Sequence, residues 1–414
     1  MLDASVQDSG TQKFNRKQAR IINAAIAVFN ERGLKGTRIS DVAASVGLAT
    51  TSVTYYFKRK EELAAACFMQ TISEFQQLAR MAQSERKPKQ RLKKFLQHYF
   101  SLRESMVHGD HPPLMLFNEL RAMDRETTKE LFDAYINMFR DIRALIAEED
   151  ENSPAQRVRL NTDAHLLLSH ILWVPVWLGR YTPQDYPRLV DHLCELLSGG
   201  ALSSGQVWQP PHISAHEAPV DSRNTFLRAA TAMINDRGYR GASVEKIATS
   251  LDVTKGSFYH HYDSKEELAI ACFDYTFEII ERVFAEAPLD LSHGQRLNYI
   301  VANLVHCQLA PSGPLLTMGS ISTLAPQVRV EIVERYWGLT RRLADIIIDG
   351  IVQGSVTATE PLLAAELIIQ TINAAPEISR WAPGLDPHEA MIALMQPLVE
   401  GMVKPDQTTG EEHA

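Results

Sequence analysis

The chain has 414 residues, of which 45% are hydrophobic and 22% are charged, and its formal net charge is −8 at pH 7. This balance argues against a disordered or fibrous chain, and the length suffices for two or more domains. Four cysteines without CxxC spacing argue against a disulfide framework and a cysteine-built zinc site. The lack of a long apolar run and of a signal-like start predicts a cytoplasmic protein without a membrane span.

Basic charge is concentrated near one end of the chain. Residues 13–62 contain ten lysines or arginines and four acids, a local charge of +6, so the remaining residues sum to −14. The average charge therefore hides a region that is suited to a polyanionic partner.

The segment from Gly33 to Phe68 recurs as the segment from Gly238 to Phe273. In this register of 205 residues, 13 of 36 aligned pairs are identical, where chance gives roughly two or three. Weaker matches continue downstream, with Pro113-Leu114 against Pro314-Leu315 and Arg180-Tyr181 against Arg380-Trp381. The pattern predicts one domain duplicated in tandem, because the period is too long for a solenoid unit.

The duplication and the composition together divide the chain into six segments. The segment 199–221 is rich in Gly, Ser, Pro and His without apolar periodicity, which is typical of a linker. We predict a first head at 13–68, a first body at 69–198, a linker at 199–221, a second head at 222–273, a second body at 274–403 and a polar tail at 404–414.

Each head has the apolar spacing of short amphipathic helices. The first head has two such stripes, formed by Ile22, Ala25 and Phe29 and by Ile39, Val42, Ala43 and Val46. Gly33 is expected to end the first helix in a left-handed cap, and a third helix is expected after Gly47. The second head repeats the pattern with Gly238 and Asp252 at the turns. Three short helices with a tight turn predict a helix-turn-helix domain.

The third helix of the first head is expected to bury Val53 and Phe57 and to expose a polar face. Hydroxyl, amine and aromatic groups at a helix start can reach base edges and phosphates in a major groove. Such a face is also compatible with an ordinary solvated surface, and the local charge and the duplication favour DNA. The outward residues are Thr50, Thr51, Thr54 and Tyr55 in the first head and Lys255, Gly256, Tyr259 and His260 in the second.

Both heads resemble the DNA-binding domain of TetR-family transcriptional repressors. The second head carries the family pattern closely in "GYRGASVEKIATSLDVTKGSFYHHYDSKEEL". The first head departs from it: Thr54 stands at the place of Tyr259, Thr50-Thr51 at the place of Lys255-Gly256, and Arg38 at the place of Ser243. These departures put one phosphate contact of the first head in question, and its added basic charge is expected to compensate.

The resemblance implies which residues contact DNA. In the family the third helix reads bases, while the hydroxyl that opens the second helix, the tyrosine and the lysine after the third helix bind phosphates. The implied contacts are Thr37 or Arg38, Thr50, Thr51, Ser52, Thr54, Tyr55 and Lys60 in the first head, and Ser243, Thr254, Lys255, Gly256, Ser257, Tyr259, His260 and Lys265 in the second.

Each body ends in two strongly apolar helical segments, which are more apolar than a helix with one buried face requires. They are "AHLLLSHILWVPVWLGRY" and "YPRLVDHLCELLSG" in the first body and "PLLAAELIIQTINAAPEISRW" and "HEAMIALMQPLVEGMV" in the second. TetR-like repressors dimerise through a four-helix bundle of two such pairs. The expected fold is therefore all-α, with two tandem TetR-like domains packed as an intramolecular pseudo-dimer that can assemble further.

The bodies are expected to bind a small, largely apolar effector. Aromatic residues, methionines and a histidine at helical spacing are the candidates for this site, although the same residues suit a core or a bundle interface. The candidate effector residues are Met115, Phe117, His170, Trp173, Trp177, Met318 and Trp337. No HExxH, P-loop or GxSxG motif is present, so we predict no enzyme activity, catalytic residue, metal or cofactor.

The predicted function is a DNA-binding regulator, a repressor that its effector releases from a double-stranded operator. The two heads are expected to enter grooves roughly 34–36 Å apart and to read unlike half-sites, whereas a palindromic operator would favour the pairing of two chains. Two alternatives stay open. Either the second head alone reads sequence, or the chain is a small-molecule-binding or protein-interaction module with weak or one-headed DNA binding.

Overall fold

A computed structural model describes residues 3–117, 120, 123, 128–148, 153–203, 208–211, 213, 222–253, 262–310, 314–319 and 324–403. Every regular element in these ranges is a helix, which confirms the all-α prediction. The first half contains α1 (Asp3–Gly36), α2 (Ile39–Ser45), α3 (Thr50–Tyr56), α4 (Lys60–Ala82), α5 (Pro88–His108), α6 (Lys129–Ile146), α7 (Pro154–Leu178) and α8 (Tyr186–Gly199). The second half contains α9 (Ser222–Gly241), α10 (Val244–Ser250), α11 (Lys265–Glu286), α12 (His293–Leu309), α13 (Pro326–Gln353), α14 (Pro361–Ala374), α15 (Ile378–Trp381) and α16 (Pro387–Glu400).

The first helix of each head is broken at the predicted glycine. Gly33 has φ 69° and ψ 163°, and Gly238 has φ 70° and ψ 161°. The positive φ agrees with the prediction, but the ψ values are extended instead of left-handed helical, a combination that glycine adopts without strain. The turn before α3 has Gly47 at φ 67°, and Asp252 at φ 55° holds the same place in the second head.

The two bodies pack against each other through the predicted apolar helices, α7 and α8 of the first and α14 and α16 of the second. Their ends are joined by reciprocal backbone hydrogen bonds: Leu202 N donates to Leu398 O (2.6 Å), and Met402 N donates to Leu197 O (2.8 Å). Side chains also cross the contact, since Asn161 Nδ2 donates to Trp381 O at 2.9 Å. The two halves of one chain thus form a pair with approximate two-fold symmetry.

Two side-chain contacts between the halves differ in chemistry. On one side Glu366, which is 4% exposed, accepts hydrogen bonds from Arg180 and from Trp173 Nε1, the latter at 2.9 Å. On the other side the rings of Phe139 and Trp381 stack with their centroids 3.5 Å apart. The contact between the halves therefore includes both an ionic pair and an aromatic stack.

The first residues of the predicted linker pack against the second body. Ala201 and Leu202 are buried, Thr357 N donates to Ser203 O at 2.8 Å, and Trp208 Nε1 donates to Asn298 Oδ1 at 3.2 Å. Among the described residues, none of the helices has the length and apolar character needed to cross a membrane.

Candidate nucleic-acid interface and effector cavity

The first recognition helix, α3, presents the polar face that the sequence predicts. Val53 is fully buried and Phe57 is 5% exposed, because they lie four residues apart on the side that faces the head core. Thr50, Thr51 and Ser52 are exposed, and Tyr55 is 74% exposed. Thr54 is half-buried, and its Oγ1 donates to Thr51 O at 3.2 Å.

The N-terminal part of α1 lies beside this face, an arrangement that the sequence analysis missed. The ring of Phe14 is 4.6 Å from that of Tyr56 and 6.2 Å from that of Tyr55, between centroids. Arg16 and Lys17 follow Phe14 and are exposed. The sequence does contain a signal for this contact. Phe14 lies at the i, i+7 spacing from Ile21, so both residues fall on the same apolar face of α1.

Two predicted phosphate contacts of the first head, Thr37 and Lys60, are placed differently from expectation. Thr37 is 1% exposed and its Oγ1 donates to Gly33 O at 2.9 Å, so its hydroxyl lies in the head interior. Arg38 is exposed instead, and its backbone N donates to Asp41 Oδ2 at 2.7 Å at the start of α2. The Lys60 ammonium is directed inward, since Nζ donates to Leu34 O at 2.8 Å.

Some of the charged side chains around α3 form hydrogen bonds within the head. Arg59 Nε donates to Glu62 Oε1 at 3.1 Å, and this hydrogen bond is the main cause that lowers the pKa of the Glu62 carboxyl. Arg20 donates to Val46 O at 2.9 Å, which ties α1 to the turn before α3. Lys58 is exposed beside them. Part of the predicted basic excess therefore stabilises the head, and part faces solvent.

The second head is described up to its recognition helix. Ser243 opens α10, and its Oγ accepts a hydrogen bond from Lys246 N at 3.3 Å, so the hydroxyl has the predicted place at the helix start. Lys265 opens α11 with its Nζ 4.6 Å from the centre of the Tyr239 ring. The remaining predicted contacts lie outside the described residues: Thr254, Lys255, Gly256, Ser257, Tyr259 and His260.

The second body contains a small apolar cavity of about 10 Å³ between α11, α12, α13 and α14. Aliphatic side chains that include Ile280, Leu304 and Leu339 form most of its wall. Its polar groups come from Thr276, Tyr336 and Asn373, and no charged residue is among those that line it. The Tyr336 hydroxyl donates to Leu316 O at 3.2 Å, and burial raises the pKa of Tyr336.

The seven candidate effector residues are not brought together. Met115 and Phe117 are buried in the first body, and Met318 is buried in the second. Trp337 is 42% exposed and has the Arg180 guanidinium 5.7 Å from its ring centre. In α13 the wall of the cavity comes from Leu339 and from Tyr336, the neighbour of the predicted Trp337.

The candidates on α7 belong to the contact between the halves or to the core of the first body. Trp173 bonds to Glu366 across the contact. Trp177 is 3% exposed and its ring centroid lies 6.5 Å from that of Phe100. His170 is 2% exposed, neither ring nitrogen has a hydrogen-bond partner among the described residues, and burial lowers its pKa to about 3. Among all the residues that the structure describes, no group of three or more His, Cys, Asp and Glu could hold a metal.

Comparison with known proteins identifies the heads. The model of "Bacterial regulatory proteins, tetR family" matches residues 21–67 and 226–272. The chain is 28% identical over 152 residues to the HTH-type transcriptional repressor DhaR of Mycobacterium sp. (strain GP1), covering 36% of this chain and 76% of that protein. It is 27% identical over 190 residues to the fatty acid metabolism regulator protein of Bacillus subtilis (strain 168), covering 44% of this chain and 95% of that protein.

Solved structures match about half of the chain. The crystal structure of apo AibR covers 43% of this chain and 98% of its own, with 21% identity and a TM-score of 0.36. The structure of FadR from Bacillus subtilis in complex with stearoyl-CoA covers 43% of this chain and 97% of its own, with 21% identity and a TM-score of 0.34.

Proposed function

We propose that this chain, which belongs to the tetR family of bacterial regulatory proteins and carries the family's DNA-binding domain twice, represses transcription as a single-chain pseudo-dimer. The observation that carries the proposal is the pairing of the two bodies within one chain, which gives one molecule two heads. A helix-turn-helix dimer places its recognition helices in successive major grooves, roughly 34–36 Å apart. One chain can therefore occupy a full operator.

The two heads are proposed to read different half-sites. The exposed face of α3 offers Thr50, Thr51 and Tyr55, whereas the sequence of the second head has Lys255 and Gly256 at the places of Thr50 and Thr51. Base contacts depend on such side chains, while phosphate contacts only position the protein. An operator for this chain needs no palindromic symmetry.

DNA selection tests this proposal. The purified chain is incubated with random duplexes, the bound DNA is sequenced, and the mass of the complex is measured. We expect two unlike half-sites about 10 base pairs apart and one chain per duplex. A palindrome bound by two chains would contradict the single-chain proposal, and a single half-site flanked by unselected sequence would support the one-headed alternative. The inward Thr37 and Lys60 of the first head are the observations that favour this alternative.

The basic segment at the start of α1 is expected to contact phosphates near the first half-site. Each phosphate that a cation neutralises contributes about 0.9 to the slope of log K against log salt concentration. The double variant Arg16→Ala/Lys17→Ala should therefore reduce the magnitude of this slope by about 1–2. Fluorescence anisotropy with a duplex of unrelated sequence measures it. Lys129→Ala, an exposed lysine of the first body, is the control, and an equal change in both variants would contradict the assignment.

The effector is proposed to be an uncharged carbon chain or a molecule that inserts one. The cavity of the second body is mostly aliphatic and no charged residue is among those that line it, so a buried carboxylate or amine would be costly there. A relative that shares 27% identity is named a fatty acid metabolism regulator protein, which makes acyl thioesters the first class to test. A volume of about 10 Å³ holds about one water, so uptake of a chain requires the wall to open.

A further inference from the structure

Several residues of the cavity wall, on α11 and α12, have counterparts in the first body. The register of 205 residues continues into the bodies, where Gln90-Arg91-Leu92 on α5 matches Gln295-Arg296-Leu297 on α12. The structure supports this register, since Thr71 Oγ1 accepts from Met115 N at 2.8 Å and its counterpart Thr276 Oγ1 accepts from Leu316 N at 2.9 Å. In this register Phe75 corresponds to Ile280, and Tyr99 corresponds to Leu304.

Aromatic rings occupy the first body where the second has its cavity. Phe75 and Tyr99 are each 1% exposed, and their ring centroids lie 6.0 Å apart. Phe117, which corresponds to Met318 in the register that aligns Pro113 with Pro314, lies 6.1 Å from Phe75 between ring centroids. The Tyr99 hydroxyl donates to Ile171 O at 3.0 Å, which fixes the ring in place. Larger side chains at corresponding positions thus fill the space that Ile280 and Leu304 leave open.

We propose that the two bodies have divided their roles, so that the second body alone takes up the effector and the first is a filled partner. This inference rests on the proposed function and adds to it a stoichiometry of one effector per chain. An operator complex of this chain would respond to a single binding event, because this cavity lies in the second body and both heads belong to the same molecule.

A short segment of the second body connects the cavity to the second head. Residues 314–319, here called the strap, run between them. Asn235 of the head helix α9 donates through Nδ2 to Leu315 O at 2.8 Å and accepts through Oδ1 from Thr317 N at 3.0 Å. Asn373, which lines the cavity, accepts from Met318 N at 3.3 Å. An occupant that displaces Asn373 or Thr276 therefore moves the strap that holds the second head.

The first half has the head contact without the cavity contact. Asn30 donates to Leu114 O at 2.8 Å and accepts from Leu116 N at 3.0 Å, as Asn235 does in the second half. In the register that aligns Arg180 with Arg380, the counterpart of Asn373 is Trp173, which bonds to Glu366 instead. The first head is therefore tied to a filled body.

Exchange of the wall residues tests the stoichiometry. Titration calorimetry of the full chain with octanoyl-CoA and hexadecanoyl-CoA is expected to give one site per chain. The variant Ile280→Phe/Leu304→Tyr should lose binding by at least tenfold, and Phe75→Ile/Tyr99→Leu should keep the site and gain a second one. Two sites in the unchanged protein, or binding that survives in Ile280→Phe/Leu304→Tyr and is lost in Phe75→Ile/Tyr99→Leu, would overturn the proposal.

The route to the head is tested by a matched pair of variants. Asn235→Ala should retain thioester binding while the thioester-induced release of selected DNA falls by at least tenfold. Asn30→Ala makes the same change in the first half and should leave the release within about twofold of that of the unchanged protein. Equal effects of the two substitutions would refute an effector route confined to the second half.

A measurement without ligand separates this proposal from the proposed effector class. Ile280→Phe places a larger side chain against the cavity and should leave the Tm nearly unchanged. Ile300→Phe makes the same substitution at a fully buried residue of α12, outside the cavity wall, and should lower the Tm by several degrees through overpacking. If no thioester binds but this difference appears, acyl thioesters are the wrong class and the divided bodies stand. If both variants lower the Tm equally, the second body has no unfilled space beside Ile280 and the proposal is refuted.

Discussion

Replacement of Gly401 by alanine is expected to destabilise the chain by about 4 kcal/mol or more, in the range of the most damaging single substitutions. Gly401 has φ 81° and ψ 170°, a combination that is essentially limited to glycine. A Cβ at this position would lie 2.0 Å from Ser198 O and 2.4 Å from Ser198 C. Because these are backbone atoms of the other half, a rotamer change cannot relieve the overlap.

The effect of Gly401→Ala should reach the contact between the halves. The substitution forces α8 and α16 apart at the place where Met402 N donates to Leu197 O. Urea unfolding and light scattering measure the loss and any change of mass. Gly354→Ala is the matched control, because Gly354 has φ 78° but open space around a Cβ, and it should cost only about 1–2 kcal/mol. A loss in Gly401→Ala no larger than in Gly354→Ala would show that the halves are not paired as described.

Local patterns predict the parts of the fold that depend on neighbouring residues. Val53 and Phe57 are buried as their spacing predicts, and the turn at Gly47 has a positive φ. The cap of α2 shows the limit of this reasoning. The helix begins at Ile39, so Arg38 is the cap and the Thr37 hydroxyl turns to Gly33 O. A shift of one residue at a helix start changes which side chain faces solvent, and the sequence alone does not fix it.

Contacts between distant segments explain why the candidate effector residues are not brought together. Tyr336 and Trp337 are adjacent aromatic residues on α13, so they point in different directions around the helix. Packing decides that Tyr336 lines the cavity and that Trp337 is exposed. Trp173 has the apolar surroundings of a pocket residue in the sequence, but its partner Glu366 lies 193 residues away. Periodicity carries no information on such pairs.

Removal of the Arg180 side chain is expected to cost about 2–4 kcal/mol, because Arg180→Ala leaves Glu366 buried with one hydrogen-bond donor from Trp173. The side chain of Glu366 is 6% exposed and that of Arg180 is 31% exposed, so the cost lies below that of a fully buried pair. Arg380→Ala is the matched control. Arg380 bonds to Glu377 of its own half at 2.9 Å, with side chains 44% and 20% exposed, and such a pair contributes about 0–1 kcal/mol.

The stability that Arg180→Ala loses should come from the unpaired, buried carboxylate of Glu366. A second substitution distinguishes this cause from a loss of packing. In the register that aligns Arg180 with Arg380, the counterpart of Glu366 is Leu166, which is fully buried, so a leucine fits the corresponding surroundings. Arg180→Ala/Glu366→Leu should therefore recover more than half of the stability that Arg180→Ala loses in urea unfolding. Without recovery, the loss would instead come from the contact of Arg180 with Trp337, and the ion pair between Arg180 and Glu366 would contribute little.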